Sequence, residues 1–324
     1  MEVLVLNSTE NKIDIKGESI MISISTDVNK LWDNLDNETA FFIYGAGTNA
    51  EAFLDLLSKT DIRLNGLIDQ NKSKIGHLFK GYPIYSLEDI KTNFKNKKIR
   101  ILISIYDVYG SIMNIESALD DATVFVAPNS EGGFNMLFTP IRNRLIKDKN
   151  FTLIANTCMG VRTYQLTGCK FNSPFIAVII SPEDYLKICS NLKTYMAQEL
   201  KFVNYEEWKF NDKYHTLCQL GDTKIKFIGK TDFDEVKEKW DKRVKRINYK
   251  NLFFMWENTH YPVPANIYNK FLEIPYGTKL IIQRETHIPC KHTVLTTRDI
   301  HFFSNYFIEK WFDLTGFLNH EVEY

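Results

Sequence analysis

An apolar run, Phe41-Phe42-Ile43-Tyr44, stops at Gly45-Ala46-Gly47, and a helical pattern begins at once. Few arrangements restrict a chain more. The first glycine permits a tight turn, and the second lets a phosphate approach the backbone. The helix start that follows offers N–H groups and the positive end of its dipole. Ala50, Phe53, Leu54 and Leu57 share one face of the predicted helix 49–59. The next apolar run, Leu64 to Ile68, ends in Asp69, 22 residues after Gly47. That is about where an acid meets a ribose or base in a nucleotide-binding strand–turn–helix–strand unit. Gly45, Gly47, Thr48, Asn49 and Asp69 are therefore the candidate ligand-binding residues of the first half.

The pattern continues as alternating elements. Gly81 to Tyr85 reads as a short extended piece, and Ser86-Leu87-Glu88-Asp89 as a helix start with a capping box. Residues 98–105 read as a strand, 108–119 as a helix and 122–127 as a last strand closed by Pro128. Such alternation in about 90 residues predicts a small parallel sheet with helices on both faces, a Rossmann-like domain over residues 39–130. Before it, residues 1–38 read as a lead-in: a hairpin over 1–24, Ile20 to Ile24 adding a further strand, and a short helix over 28–35 capped by Thr26 or Asp27. Ser130-Glu131-Gly132-Gly133 is the expected boundary, with a connector helix over 135–147.

The second domain, residues 134–324, also alternates strands and helices, but the pattern leaves its topology open. Strands are expected at 151–155, 175–180, within 205–230, and at 251–257, 279–284 and 292–296. Helices are expected from 158 through Tyr164, over 182–199 after the Ser181-Pro182-Glu183-Asp184 start, over 233–247, over 264–272 and over 302–318. The fold class is thus α/β throughout.

Charge and length narrow the function. Forty basic and forty acidic residues cancel, so no global field draws nucleic acid or anionic lipid. No apolar run approaches the ~18 residues of a membrane span, and residues 1–30 lack the pattern of a signal peptide. Five cysteines without a close pair fit reduced thiols, so a cytoplasmic location is expected.

Two groups of second-domain residues invite chemistry. Cys158 follows a buried strand and starts a helix, a position that lowers a thiol pKa. Asn156 beside it suits donation to an oxyanion, with His215, His260, His287 and His292 as bases in sequence only. The plain alternative is a small thiol packing the strand–helix junction. Arg243 and Arg246 lie three apart near the end of the 233–247 helix, where their forks suit a diphosphate or carboxylate. The alternative there is a cationic helix end. The histidine spacing matches no metal-ligand motif, so no metal is expected. Asp232-Phe233-Asp234 resembles a metal–diphosphate pair but sits where a helix cap belongs. The aromatic stripe Phe302, Phe303, Tyr306, Phe307, Trp311 and Phe312 suits a core or an oligomer contact, which leaves a homo-oligomer open.

Two resemblances add to this reading. Tyr44-Gly45-Ala46-Gly47, Asn65 to Asn71, Ile75-Gly76 and Gly81-Tyr82-Pro83-Ile84 make residues 39–128 similar to the N-terminal domain of bacterial sugar O- and N-acyltransferases. That resemblance implies that the glycine turn and Asp69 hold a UDP-sugar. The hexapeptide-repeat helix that carries acyl transfer in that family is missing here. From residue 150 to about 318 the chain resembles a bacterial family of unknown function linked to exopolysaccharide and capsular polysaccharide biosynthesis. This rests on Ala155 to Gly160, Asn172-Ser173-Pro174, Ser181 to Tyr185, Leu220-Gly221-Asp222 and Lys239 to Asn248. Where relatives show an acidic segment after the strand ending near residue 257, this chain has Trp256-Glu257-Asn258-Thr259-His260.

The expectation is a protein that binds a nucleotide-sugar, a small-molecule partner, and transfers or modifies a sugar-linked group. An NAD-dependent oxidoreductase and a non-catalytic sugar-nucleotide-binding scaffold are the alternatives.

Overall fold

The computed structural model describes residues 22–25, 27–33, 35–105, 107–126, 137–208, 213–229, 232–258, 263, 265–284, 293–296, 308–310 and 312–322. They divide into two units. The first takes the described residues up to 141 together with 308–310, and the second takes the remainder. The expected boundary at 130–133 lies outside the described residues. The division falls later, inside the helix Thr139–Leu145.

In the first unit seven strands form one sheet: β1 (Ser23–Ser25), β2 (Thr39–Tyr44), β3 (Gly66–Ile68), β4 (Leu78–Phe79), β5 (Tyr82–Tyr85), β6 (Lys98–Ile103) and β7 (Thr123–Phe125). Their order is β1-β7-β6-β2-β3-β5-β4. Every pairing is parallel except the β4/β5 hairpin. Counted from β2, the parallel core runs third, second, first, fourth, fifth, the doubly wound order whose direction reverses between β2 and β6. Ile20 to Ile24 was expected to extend the lead-in. Instead Ser23–Ser25 joins this sheet beside β7. Of the hairpin expected over residues 1–24, residues 1–21 lie outside the described residues.

Helices cover both faces, which is why β2 is apolar without alternation. Phe42 and Tyr44 join Ile90 of the helix Leu87–Asn93 and Ile112 and Ile115 of the helix Val108–Ala118. On the other face Trp32 meets Phe41 and Phe138 edge to face, and Phe138 packs on Phe53 of the helix Thr48–Leu57. The capping box is formed in full: Asp89 N–H donates to Ser86 Oγ, and Ser86 N–H donates to Asp89 Oδ2.

The second unit holds two four-stranded sheets. β8 (Thr152–Ala155), β13 (Leu252–Asn258), β14 (Thr278–Arg284) and β15 (Thr293–Thr296) are all parallel, in the order β15-β14-β13-β8. β9 (Val178–Ile179), β10 (Leu200–Trp208), β11 (Lys213–Leu220) and β12 (Thr223–Phe227) are antiparallel, in the order β10-β11-β12-β9. One core joins them: Ile154, Phe254 and Trp256 of the parallel sheet pack with Tyr185, Phe271, Ile225, Phe227 and Trp240. Tyr185 is fully buried, its hydroxyl on the carbonyls of Ile154 (2.9 Å) and Met255 (3.1 Å).

Two long helices expected from the pattern are interrupted. The 182–199 stretch is two helices, Pro182–Ser190 and Leu192–Met196, because Asn191 leaves the helical region at φ −136°. Near the end of the chain Asp313, extended at φ −78°, ψ 92°, caps a separate short helix, Leu314–Leu318. Phe302, Phe303, Tyr306, Phe307 and Trp311 of the aromatic stripe lie outside the described residues, while Phe312 is buried. No described helix is long and apolar enough to cross a membrane.

Candidate functional site

The glycine turn lies where the doubly wound order reverses, at the carboxyl ends of β2 and β6. Gly45 has φ +104°, and its N–H donates to Ile68 O at 2.7 Å. A Cβ there would sit 2.3 Å from Ile105 Cγ2, so both conformation and space demand glycine. Gly47 differs. Its backbone is extended (φ −139°), a conformation open to any residue, and a Cβ built on it meets nothing within 4 Å. It is the N-cap of the helix Thr48–Leu57 and brings no capping side chain of its own. Among the described residues the space over Gly47 at this helix start is thus open.

Four side chains brace the turn. Asn49 Nδ2 donates to Ser104 O (2.8 Å), and the buried Ser104 hydroxyl donates to Tyr44 O (2.9 Å), tying β2 to β6. Asp69 receives Ala46 N–H (2.9 Å) and Lys74 Nζ (3.1 Å) on Oδ2, and Asn71 N–H (2.8 Å) on Oδ1. Lys74 also donates to Ala46 O at 2.9 Å. Burial by itself would raise the Asp69 pKa. The Asn71 and Ala46 N–H groups and the Lys74 ammonium outweigh it and hold the carboxyl below its ordinary 3.8.

This changes the expected part of Asp69. Each carboxylate oxygen has about two acceptor positions. Oδ2 has both taken and Oδ1 has one taken by these described groups. A two-oxygen grip on a ribose diol therefore requires Lys74 to leave, and in this structure Asp69 fixes the turn. Lys74 and Ser104 were not singled out from the sequence. The rule that ligands sit beyond strand ends at the reversal point could have flagged Ser104. Nothing local could have flagged Lys74.

In the second unit Asn156 follows β8 and is buried. Its Nδ2 donates to Glu257 O (2.9 Å), and Glu257 N–H donates to its Oδ1 (2.8 Å). One N–H of the amide proposed to face an oxyanion thus clasps the ends of β8 and β13, and Nδ2 carries a second N–H. Cys158 is the residue before the helix Met159–Thr167 and lies partly buried. Its pKa was expected to be lowered. Instead burial, and then the Glu257 carboxylate, push it up to about 11 against the opposing pull of Arg162. The thiol is neutral at pH 7. The helix start does not prevail because desolvation disfavours the thiolate more strongly. Glu257 and Arg162, absent from the expected site, are the charges that act on this thiol.

Arg243 and Arg246 are not brought to that place. The Arg243 guanidinium lies over the Phe171 ring at 5.6 Å, and Arg246 Nη1 donates to Phe171 O at 3.4 Å. The neighbouring Asn172 carbonyl accepts from Thr152 Oγ1 (3.1 Å), which places this loop at the amino end of β8, opposite Asn156 and Cys158. Burial and the Arg246 charge lower the Arg243 pKa. Asp232 caps the helix Phe233–Val244 through Asp234 and Glu235 N–H, so the Asp-x-Asp pair is a cap. His215 is buried in β11, its Nδ1 accepting from Gly229 N–H at 2.8 Å. His260, His287, His292 and His301 lie outside the described residues.

Comparison with known proteins adds family but no activity. An "Uncharacterized protein" of Haemophilus influenzae is 30% identical over 146 residues, which make up 45% of this chain and 66% of that protein. The chain therefore spans slightly less than two thirds of that relative. Residues 134–323, more than half of the chain, match a family model whose description is "Domain of unknown function (DUF1919)". The chain belongs to this family.

Proposed function

We propose that the first unit binds the diphosphate of a nucleotide-sugar at the Gly45–Asn49 turn, and that the protein modifies or transfers a sugar-linked group in surface-polysaccharide assembly in the cytoplasm. The observation that carries the binding half is Gly47: an extended glycine with open space over its Cα among the described residues, as the N-cap of a helix, at the reversal of a doubly wound sheet. Phosphate is the ligand that such a helix start favours. Gly45 shapes the turn, Thr48 and Asn49 begin the helix, and Asp69 with Lys74 holds the turn in place. The polysaccharide half rests on the sequence resemblance of residues 150 to about 318.

The second unit supplies the reacting end in this reading. Asn156 aligns the ends of β8 and β13, and Cys158 presents a thiol that must lose its proton before it can attack. Glu257 is the carboxylate beside it. Arg243 and Arg246 have no direct part, since they lie at the other end of β8.

Isothermal titration with UDP-sugars and with NAD(H) tests the binding half. Heat from a UDP-sugar that disappears in Gly47→Val supports it. No UDP-sugar binding together with clear NAD binding would reject it in favour of the oxidoreductase. A Cys158→Ala protein that folds and keeps its in-cell phenotype, while Gly47→Val loses it, would instead mark a non-catalytic scaffold.

A further inference from the structure

The second unit has a cleft of about 500 Å3 at the amino ends of β13 and β14, away from Asn156 and Cys158. It lies between the 249–252 segment, the 273–279 loop and His320. Its size is within the usual range for small-molecule sites. The loop is held rigidly. Gly277, at φ +74°, packs so close to Phe254 that a Cβ would lie 2.5 Å from Cε2. The Tyr276 hydroxyl donates to Cys189 O and accepts from Leu192 N–H (3.2 Å), which fixes its ring on the cleft wall.

Two cations, Lys250 and Lys279, line this cleft. Lys279 is half-buried, and its ammonium touches only the carbonyls of Tyr276 (3.3 Å) and Gly277 (3.1 Å). Among the described residues no carboxylate lies within ion-pairing distance of it or of the exposed Lys250. Burial lowers the Lys279 pKa, the mark of a cation short of compensating charge. One exposed acid, Glu273, also lines the cleft. His320 stacks on Phe253 at 4.7 Å, with Nε2 3.2 Å from Asn251 Oδ1 and Nδ1 3.0 Å from Thr278 Oγ1. Asn251 in turn donates through Nδ2 to Asp148 Oδ2 (2.9 Å), so its Oδ1 is the acceptor and His320 Nε2 carries the proton. The Tyr249 ring also lines the cleft, 40% exposed, with Lys193 Nζ over one face at 5.3 Å from its centroid.

We infer that this cleft binds a phosphate ester carried on a small ring, of the sugar-phosphate class. Lys279 and Lys250 take the phosphate, and Tyr249 and Tyr276 take the ring face. Two lysines that pair with no carboxylate among the described residues suit a phosphate better than a neutral sugar. Two phenol rings give an apolar wall that free phosphate would not use. The inference does not depend on the nucleotide-sugar reading, because every residue it uses lies in the second unit.

Isothermal titration of the full chain with glucose 1-phosphate, glucose and inorganic phosphate tests it. Glucose 1-phosphate is expected to bind more tightly than either control. Lys279→Met and, on the exposed segment, Lys250→Glu should each weaken it about tenfold or more. Gly47→Val, in the first unit, should leave it unchanged. Thermal melts of each variant report folding, and Lys250→Glu keeps the test decisive if Lys279→Met does not fold. The inference is overturned if glucose 1-phosphate gives no heat at millimolar concentration or if inorganic phosphate binds equally well. Equal binding to the folded lysine variants, or loss of binding in Gly47→Val alone, overturns it too.

Discussion

Asn156 and Glu257 clasp each other across the ends of two parallel strands. The Asn156 side chain donates to Glu257 O at 2.9 Å and accepts Glu257 N–H at 2.8 Å. Both residues are buried, so neither backbone group has water to fall back on. Asn156→Ala should cost about 2–4 kcal/mol, two buried bonds with their partners left unsatisfied. Asn156→Asp should be destabilising at pH 7, since a carboxylate cannot donate to Glu257 O. Urea unfolding at pH 7 measures both. A loss below about 0.5 kcal/mol for Asn156→Ala would mean that the clasp contributes nothing net.

The Cys158 thiol is held neutral by burial and by Glu257, with a pKa of about 11. Its alkylation by iodoacetamide, followed at the Cys158 peptide by mass spectrometry, should rise about tenfold per pH unit from pH 7 to 9.5 without a plateau. Glu257→Gln removes a negative charge and should speed the reaction at fixed pH. Arg162→Met removes the opposing positive charge and should slow it. A plateau below pH 8 would show an activated thiolate instead.

Gly45 and Gly47 should behave in opposite ways. Gly45→Ala puts a Cβ against Ile105 at a positive φ and should destabilise the first unit by about 1–3 kcal/mol or more. Gly47→Ala adds a methyl group to open space at an N-cap and should cost at most about 1 kcal/mol. It should nonetheless weaken nucleotide-sugar binding, because the methyl group occupies the space proposed for the phosphate. Thermal melts and titration separate the two effects. If Gly47→Ala binds UDP-sugars as tightly as the parent, the phosphate does not sit there.

Asp69 links pH to the stability of the turn. Its folded pKa lies below the ordinary 3.8, so the unfolded chain takes up protons first as pH falls. The stabilisation is fully present at neutral pH and is lost as pH drops below about 3.8 toward the folded value. The stability gap between the parent and Asp69→Asn should be constant from pH 5 to 8 and shrink below pH 4. Denaturation curves across that range check this. A gap that persists to pH 2 would mean that the carboxylate charge is irrelevant to the turn.

Much of the fold was legible from the chain by itself. The apolar run Phe41–Tyr44, the glycines after it and the Ser86–Asp89 box each carry their meaning within a few residues, because turn geometry and capping are local. The α/β class and the parallel sheet of the first unit follow from that alternation. The Asp232 cap was legible for the same reason. Helix interruptions were less so: Asn191 and Asp313 stop helices that the apolar spacing alone would continue.

What tertiary structure decided was the state and company of each candidate. The sequence presents Cys158 at a helix start. Only the fold buries it near Glu257, 99 residues away, and turns an expected low pKa into a high one. Asp69 looks like a ribose acceptor in sequence, but its carboxylate is taken up by Ala46, Asn71 and Lys74. Asn156 and Arg243 lie in one unit and look able to converge. β8 separates them, because Phe171 draws the arginines to its amino end while Asn156 closes its carboxyl end. Short-range steric and hydrogen-bonding preferences are written in neighbouring residues. Desolvation and charge partners depend on which distant strand ends meet, and no local pattern encodes that.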